Sequence, residues 1–300
     1  MKEFVSDLRP YLRERVSLAP LVCFRTGGIA DYLFEPDSPD ILALGLKEFT
    51  RLDIPVYVIG EGSNLLVHDG GFRGVVIRLL RGCFVELNAI ENGLIAGSGV
   101  TLKSLSGFAL SRGQKGFEFM GLIPGTVGGA ISGNAGREDC STGALLQEVS
   151  VISRSGQFRC FERKSFDYGY RSFPLLEDWI IIRARFDPCG SDTGSRIKAS
   201  VREISSSAHS TQPKGRSCGS IFKNTPELPA WKIIDSLGYR GFRLGGAEVS
   251  GQHPNWIINR NHASSLDIWN CICRIREEAF RKMGVRLELE IRLLGNFQDG

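Results

Sequence analysis

Two glycine-rich segments carry the composition most suggestive of chemistry in this 300-residue chain. The first, Gly60-Glu61-Gly62-Ser63-Asn64, follows the apolar run at residues 54–59. Glycines there let backbone N–H groups turn towards an anion and let the anion come close. The second runs Gly121-Leu122-Ile123-Pro124-Gly125-Thr126-Val127-Gly128-Gly129-Ala130 and continues to Gly133-Asn134-Ala135-Gly136. Taken singly, the first is a tight turn, and the pair also fits two close-packed crossings in a β-rich interior. Together, each after a buried strand, they suit a dinucleotide diphosphate held by backbone donors. A Rossmann fingerprint is excluded. Leu65 occupies the third glycine position, and Asp69-Gly70-Gly71 breaks the chain before a helix can follow.

The elements that must position these loops are short. Apolar runs bounded by Gly or Asn predict strands at 54–59, 75–79, 84–87 and 94–96. Helical spacing through Leu102, Leu105, Phe108 and Ala109 predicts a helix over 102–112, with Gly113 at its C-terminal cap. Further strands are expected at 149–152, 158–161 and 179–186. Pro188-Cys189-Gly190-Ser191-Asp192-Thr193-Gly194-Ser195 reads as a linker, and 196–207 as a helix across the boundary. A short helix over 231–237 stops at Gly238, and a strand follows at 256–259. Ile268, Ile272, Ile275, Ala279 and Met283 mark the strongest helix, over 266–283, with Ser264 and Asp267 as a capping box and Gly284 as its end. Residues 286–293 alternate: Leu287, Leu289, Ile291 and Leu293 face one way, Glu288, Glu290 and Arg292 the other.

Composition narrows the class. Hydrophobic residues at 42% and charged residues at 23% are ordinary for a globular protein. A net charge of +4 permits an anionic small molecule but supplies no basic stripe for nucleic acid. The eight cysteines form no CxxC pair and have no histidine cluster beside them, so neither a metal site nor a disulfide framework is expected. Residues 1–15 alternate acids and bases without an apolar core, which argues against a secretory signal and for reduced thiols in the cytoplasm. The uncharged stretch 119–136 approaches the length of a membrane span. Its Pro124, Thr126, Ser132, Asn134 and repeated glycines make a buried loop the better reading.

The loops belong to an ordered series of motifs. Ile59-Gly60-Glu61-Gly62-Ser63-Asn64-Leu65-Leu66 and Asp69-Gly70-Gly71-Phe72-Arg73-Gly74 resemble the FAD diphosphate loop of the UDP-N-acetylenolpyruvoylglucosamine reductase family, as does Phe119-Met120 running into the second glycine loop. Phe24-Arg25-Thr26-Gly27-Gly28-Ile29-Ala30-Asp31 is similar to the family's opening motif, and Ser217-Cys218-Gly219-Ser220-Ile221-Phe222-Lys223-Asn224 to its substrate motif. Gly245-Gly246-Ala247-Glu248-Val249-Ser250, His253-Pro254-Asn255-Trp256-Ile257-Ile258-Asn259 and Leu287-Glu288-Leu289-Glu290-Ile291-Arg292 match in register. The likeness spans residues 21–295, and the absence of a long insertion before Arg196 resembles the family's second, shorter type. Four departures stand out. Cys23 replaces a usual Thr, Ser172 follows Arg171 directly, Arg137 sits where a small residue is common, and the stretch before Ser217 is slightly short.

The resemblance implies an α+β protein: a vanillyl-alcohol-oxidase (PCMH)-type FAD-binding domain of two subdomains at 20–188, then an α/β substrate-binding domain at 196–297. The implied activity is NADPH-dependent reduction of UDP-N-acetylglucosamine enolpyruvate to UDP-N-acetylmuramate in peptidoglycan precursor synthesis. FAD is the implied cofactor and NADPH the co-substrate, with a UDP-sugar substrate, no nucleic acid, no membrane, no metal and a monomeric state. Ser220 matches the proton donor, Arg171 the carboxylate-binding arginine and Glu290 the assisting carboxylate. Read without the family, these are a turn serine, a surface arginine and a solvated acid. Arg25, Gly60, Glu61, Gly62, Ser63, Asn64, Gly125, Thr126, Gly128, Gly129 and Ala130 are the implied FAD contacts, and Gln212, Lys223, Asn224 and Asn255 the substrate contacts. His253 reads equally as a binding or a structural histidine. First-half motifs also fit another PCMH-type FAD oxidoreductase acting on a different alcohol or sugar. A non-catalytic nucleotide-sugar-binding flavoprotein is the reading from a different class. Ser220, Phe222-Lys223-Asn224 and Glu290 favour the reductase.

Overall fold

A computed structural model describes residues 4–137, 140–174, 178–192 and 212–297. The helix expected over 196–207 and part of the expected linker lie outside the described residues. Two compact units divide the chain. The first comprises Met1–Glu14, Tyr32–Gly60 and Gly74–Ala208, and the second Arg15–Asp31, Glu61–Arg73 and His209–Gly300. Two early segments therefore pack with the C-terminal part, a division that differs from a single cut near residue 190.

The first unit holds two cores. One surrounds helix α1 (Pro39–Arg51), which the sequence reading left unassigned. Ser38 Oγ caps it by accepting from Ile41 N at 3.5 Å, Pro39 opens it, and Leu42, Leu46 and Phe49 bury their side chains with Phe34, Val75 and Ile77. These belong with a four-stranded sheet ordered β1 (Leu12–Ser17), β2 (Ile29–Phe34), β5 (Phe72–Arg78) and β3 (Val56–Ile59), in which β3 and β5 run parallel. No helix follows β3; the chain instead enters strand β4 (Leu65–Val67).

The second core lies on a five-stranded antiparallel sheet. Its order is β9 (Phe158–Glu162), β8 (Leu146–Ser153), β10 (Trp179–Phe186), β7 (Gly93–Gly97) and β6 (Leu87–Ile90). Helix α2 (Leu102–Ser111) packs Leu102, Leu105 and Ala109 into it, and Gly113 takes the positive φ expected past its end. The strand expected at 84–87 is instead a 3-10 turn, Gly82–Val85, with β6 beginning after it. Cys83 N bonds to Asp37 O, and the turn delivers Phe84 wholly into the core. The second glycine loop is also more regular than expected, because a short helix, α3 (Val127–Ser132), forms within it. A further turn of helix, α4 (Thr142–Leu145), precedes β8.

In the second unit, helix α6 (Ser265–Met283) supplies the longest buried face. It follows the short helix α5 (Ala230–Ser236) and the three-stranded sheet β11 (Arg243–Leu244), β12 (Ala247–Val249) and β13 (Ile257–Asn259). Both halves of the α6 capping box form: Asp267 N donates to Ser264 Oγ at 3.0 Å, and Ser264 N donates to Asp267 Oδ2 at 3.1 Å. Gly284 ends the helix in the left-handed region at φ 68°. The alternation at 286–293 predicts the buried face correctly, since Leu287 and Ile291 are buried and Glu288 is exposed. Its regular strand is shorter than expected: only β14 (Arg292–Leu294) forms, parallel to β4. Upstream, the partner is the irregular segment around Phe222, bridged to Leu289. Among the described residues, no helix is long and apolar enough to cross a membrane, and no group of His, Cys, Asp or Glu could hold a metal ion.

Candidate active site

In the first unit, the end of β3 meets the second glycine loop. A Cβ on Gly60 would lie 2.5 Å from Thr126 Oγ1, so only glycine permits this crossing. Thr126 caps α3, with Gly129 N 3.5 Å from its Oγ1. The loop's backbone donors are largely committed. Val127 N bonds to Val100 O, Gly128 N to Ser98 O and Ala130 N to Thr126 O, all within 2.8–2.9 Å. These N–H groups therefore hold the loop together, and the close-crossing reading accounts for Gly60 and Gly128. Gly129 differs, since a Cβ there would meet only Thr126 Oγ1, at 3.7 Å.

Ser98 is the polar side chain packed beside this loop. It packs against Gly128, with a built Cβ of the glycine 3.0 Å from Ser98 Cβ. It is 5% exposed, and its Oγ has no hydrogen-bond partner. A buried hydroxyl left unpaired is costly, so a polar ligand group seated there fits the residues present. The sequence reading did not single out Ser98. Its signal was Gly97-Ser98-Gly99, a glycine-flanked serine at the end of a strand.

Arg171 also belongs to the first unit. It sits third in a tight turn in which Gly169 N bonds to Ser172 O at 3.0 Å and Ser172 N returns to Gly169 O at 3.3 Å. The direct succession of Arg171 and Ser172 is what closes this turn. Arg171 has φ 51°, a left-handed conformation unusual for a residue with a Cβ. Its guanidinium lies 5.3 Å from the Tyr170 ring centroid, and Nη1 donates to Gly136 O at 3.1 Å.

In the second unit, three segments run together around Ser220. Ile221 N bonds to Asn255 O and Glu290 N to Ile221 O, each at 2.8 Å, and Lys223 N bonds to Glu288 O at 2.9 Å. Glu290 is thereby placed opposite Ile221, next to Ser220, which itself bridges to Trp256. Gly219, with φ 78°, shapes the approach to Ser220. The first glycine loop joins the same assembly. Asn64 Nδ2 donates to Glu290 O at 3.0 Å, Arg292 N donates to Asn64 O at 2.9 Å, and Cys23 N donates to Gly62 O at 3.0 Å. Residues 61–64, Ser220 and Glu290 thus share one framework although the chain separates them widely.

The remaining expected contacts divide. Asn255 is 3% exposed, and its amide is spent on Phe222: Nδ2 donates to the carbonyl at 2.8 Å and Oδ1 accepts from N at 3.0 Å. Its amide holds the irregular segment that carries Ser220. Asn224 Oδ1 accepts from Ala230 N at the start of α5. Lys223 Nζ lies 3.4 Å from Glu288 Oε2, an open pair of the kind that contributes at most about 1 kcal/mol and yields readily to another anion. Arg25 is exposed, has φ 56° and donates through Nη1 to Pro20 O. Gln212 is exposed at the start of its segment. His253 lies between Trp231 and Trp256, with ring centroids 6.4 and 6.3 Å away, and burial holds its pKa below the usual histidine value. Burial pushes the Cys218 thiol up to about 12 and raises that of Cys23, which keeps both sulfurs protonated beside the loop.

Comparison with known proteins matches two successive stretches of the chain. Residues 30–160 match the family model described as FAD binding domain, and residues 211–294 the model described as UDP-N-acetylenolpyruvoylglucosamine reductase, C-terminal domain. A UDP-N-acetylenolpyruvoylglucosamine reductase from Gluconobacter oxydans (strain 621H) is 36% identical over 299 residues, 99% of this chain and 96% of that protein. One from Bradyrhizobium sp. (strain ORS 278) is 38% identical over 296 residues, 98% of this chain and 96% of that protein. The crystal structure of the Thermus caldophilus enzyme (MurB) superposes with a TM-score of 0.83 at 31% identity, covering 95% of this chain and all of that one.

Proposed function

The chain belongs to the UDP-N-acetylenolpyruvoylglucosamine reductase family, and from that premise we propose that it reduces UDP-N-acetylglucosamine enolpyruvate to UDP-N-acetylmuramate. It is an α+β, FAD-containing oxidoreductase, with NADPH as electron donor and a UDP-sugar as substrate. The observation that supports the site assignment is the backbone hydrogen bonding that sets Glu290 beside Ser220 and links this segment to residues 61–64.

FAD, when bound, relays a hydride from NADPH to the vinyl CH2 of the enolpyruvyl group. We assign Gly60 to Asn64, Gly125, Thr126, Gly128 to Ala130 and Arg25 to its binding, and add Ser98 from the unpaired Oγ. The neighbouring carbon, which gains negative charge shared with its carboxylate, takes a proton from the Ser220 hydroxyl. Serine is a weak acid in water, but an enolate carbon is a strong base, and contact makes the transfer favourable. The Arg171 guanidinium grips the carboxylate at two points and stabilises its charge as it grows. Glu290, where it carries a proton, donates a hydrogen bond to that carboxylate, and Lys223, Asn224 and Gln212 take the nucleotide end. The domain limits at 20–188 and 196–297, a cytoplasmic location, a monomeric state and the absence of nucleic-acid partners belong to the same proposal.

Anaerobic stopped-flow absorbance tests it. NADPH is expected to bleach the yellow protein, and the enolpyruvyl nucleotide sugar to restore the colour. Ser220→Ala and Glu290→Gln should keep the bleaching and slow the recovery by roughly a hundred- to a thousandfold. Wild-type recovery in either variant removes that residue from the mechanism. Oxygen-dependent turnover of an alcohol without NADPH would identify a different flavin enzyme, and a failure to bleach, a binding protein.

A further inference from the structure

We propose that Asn134 is a positioning residue for Arg171, whose carboxamide holds the turn that carries the arginine and so sets where the guanidinium meets the substrate carboxylate. The inference rests on the role given to Arg171 above.

Asn134 lies just past α3, is 4% exposed and has φ 38°. Both ends of its amide are spent on main chain. Nδ2 donates to Gly169 O at 2.7 Å, and Oδ1 accepts from Gly143 N at 2.9 Å. Gly169 opens the turn that ends at Ser172, and its carbonyl also accepts from Ser172 N. That turn places Arg171 in the left-handed region, a conformation that persists in a non-glycine residue only when its surroundings enforce it. Two holds on the turn come from one stretch of chain: Asn134 grips Gly169, and Gly136 O receives Arg171 Nη1 at 3.1 Å. This stretch directly follows α3. The arginine is therefore indexed to the backbone that leads out of the α3 loop, through a side chain too buried to reach substrate.

Asn134→Asp separates positioning from general stability. Aspartate tolerates the left-handed backbone and keeps the acceptor for Gly143 N, but it sets a carboxylate oxygen against Gly169 O. Holoenzyme carrying Asn134→Asp, Arg171→Ala or both is compared with wild type in two measurements. Calorimetry reads binding of the enolpyruvyl nucleotide sugar to the oxidised protein, and stopped-flow absorbance reads each half-reaction.

NADPH bleaching is expected within about twofold of wild type in Asn134→Asp. Substrate affinity and colour recovery should fall roughly tenfold to a hundredfold in Asn134→Asp, as a shift of about an ångström in a binding group produces. In the Arg171→Ala background the same change should add less than about twofold, because its target is gone. A full, multiplicative loss in that background, or wild-type behaviour of Asn134→Asp, overturns the inference. Unchanged substrate binding and recovery in Arg171→Ala overturn the role of Arg171 and the inference with it. Should Asn134→Asp not fold, Asn134→Gly removes both bonds without adding charge and enters the same cycle.

Discussion

Replacing Asn255 with alanine is expected to destabilise the protein before any ligand is added. Its amide makes two hydrogen bonds to Phe222, at 2.8 and 3.0 Å, from a position 3% exposed. Asn255→Ala leaves a buried backbone N–H and a buried C=O without these partners, at about 1–3 kcal/mol each. The sum is about 2–6 kcal/mol, the cavity term being small for so polar a site. At about 2–4 °C per kcal/mol for a chain of this order of size, Tm should fall by roughly 4–24 °C. Differential scanning fluorimetry of protein purified without nucleotide reads this directly. Colour recovery with substrate should slow as well, because the segment at Phe222 carries Ser220 two residues upstream. A direct substrate contact predicts the opposite pattern: an unchanged Tm and a loss confined to nucleotide affinity. That result would refute the positioning role, and with it the argument from the paired amide.

Three further outcomes follow from the same geometry. Ser98→Ala should weaken FAD about tenfold in a fluorescence titration, the value of one hydrogen bond at a buried hydroxyl; equal affinity removes Ser98 from the cofactor site. Burial holds the His253 pKa below its ordinary 6.5, so the unfolded chain binds the extra proton first as pH falls. Stability should therefore be full above about pH 6.5 and decline as pH drops through the folded value. His253→Gln should flatten that decline in urea titrations at pH 7.5 and 5.5, and an unchanged slope would exclude His253 as its source. Exposed Cys140, Cys160 and Cys189 should react with a disulfide reagent in the native protein, whereas Cys218 and Cys271, buried and raised to about 12, should react only on unfolding; fast native labelling of Cys218 contradicts its burial.

Several features were legible because their causes are local. Ser264, Asp267 and Gly284 bound α6 through contacts within a few residues. The alternation from Leu287 to Ile291 follows from strand geometry alone. Helix α1 has local signals of its own: Ser38-Pro39 opens it, and Leu42, Leu46 and Phe49 mark its buried face. The turn at Gly82–Val85 was hidden: its apolar run suits a strand, and only the bond to Asp37, far upstream, folds it otherwise.

The chain's own order of residues determined the family and the two glycine loops, and it named Ser220, Arg171 and Glu290 as candidates, since motif chemistry and periodicity act over short stretches of backbone. Tertiary packing alone decided which donors those loops have left to give. It committed the N–H groups of Val127, Gly128 and Ala130 internally, left Ser98 Oγ unpaired, and turned Asn64, Asn134 and Asn255 towards main chain 226, 35 and 33 positions away. A buried amide must find a partner, but its partner is whichever strand the fold brings alongside, and no local rule names that strand.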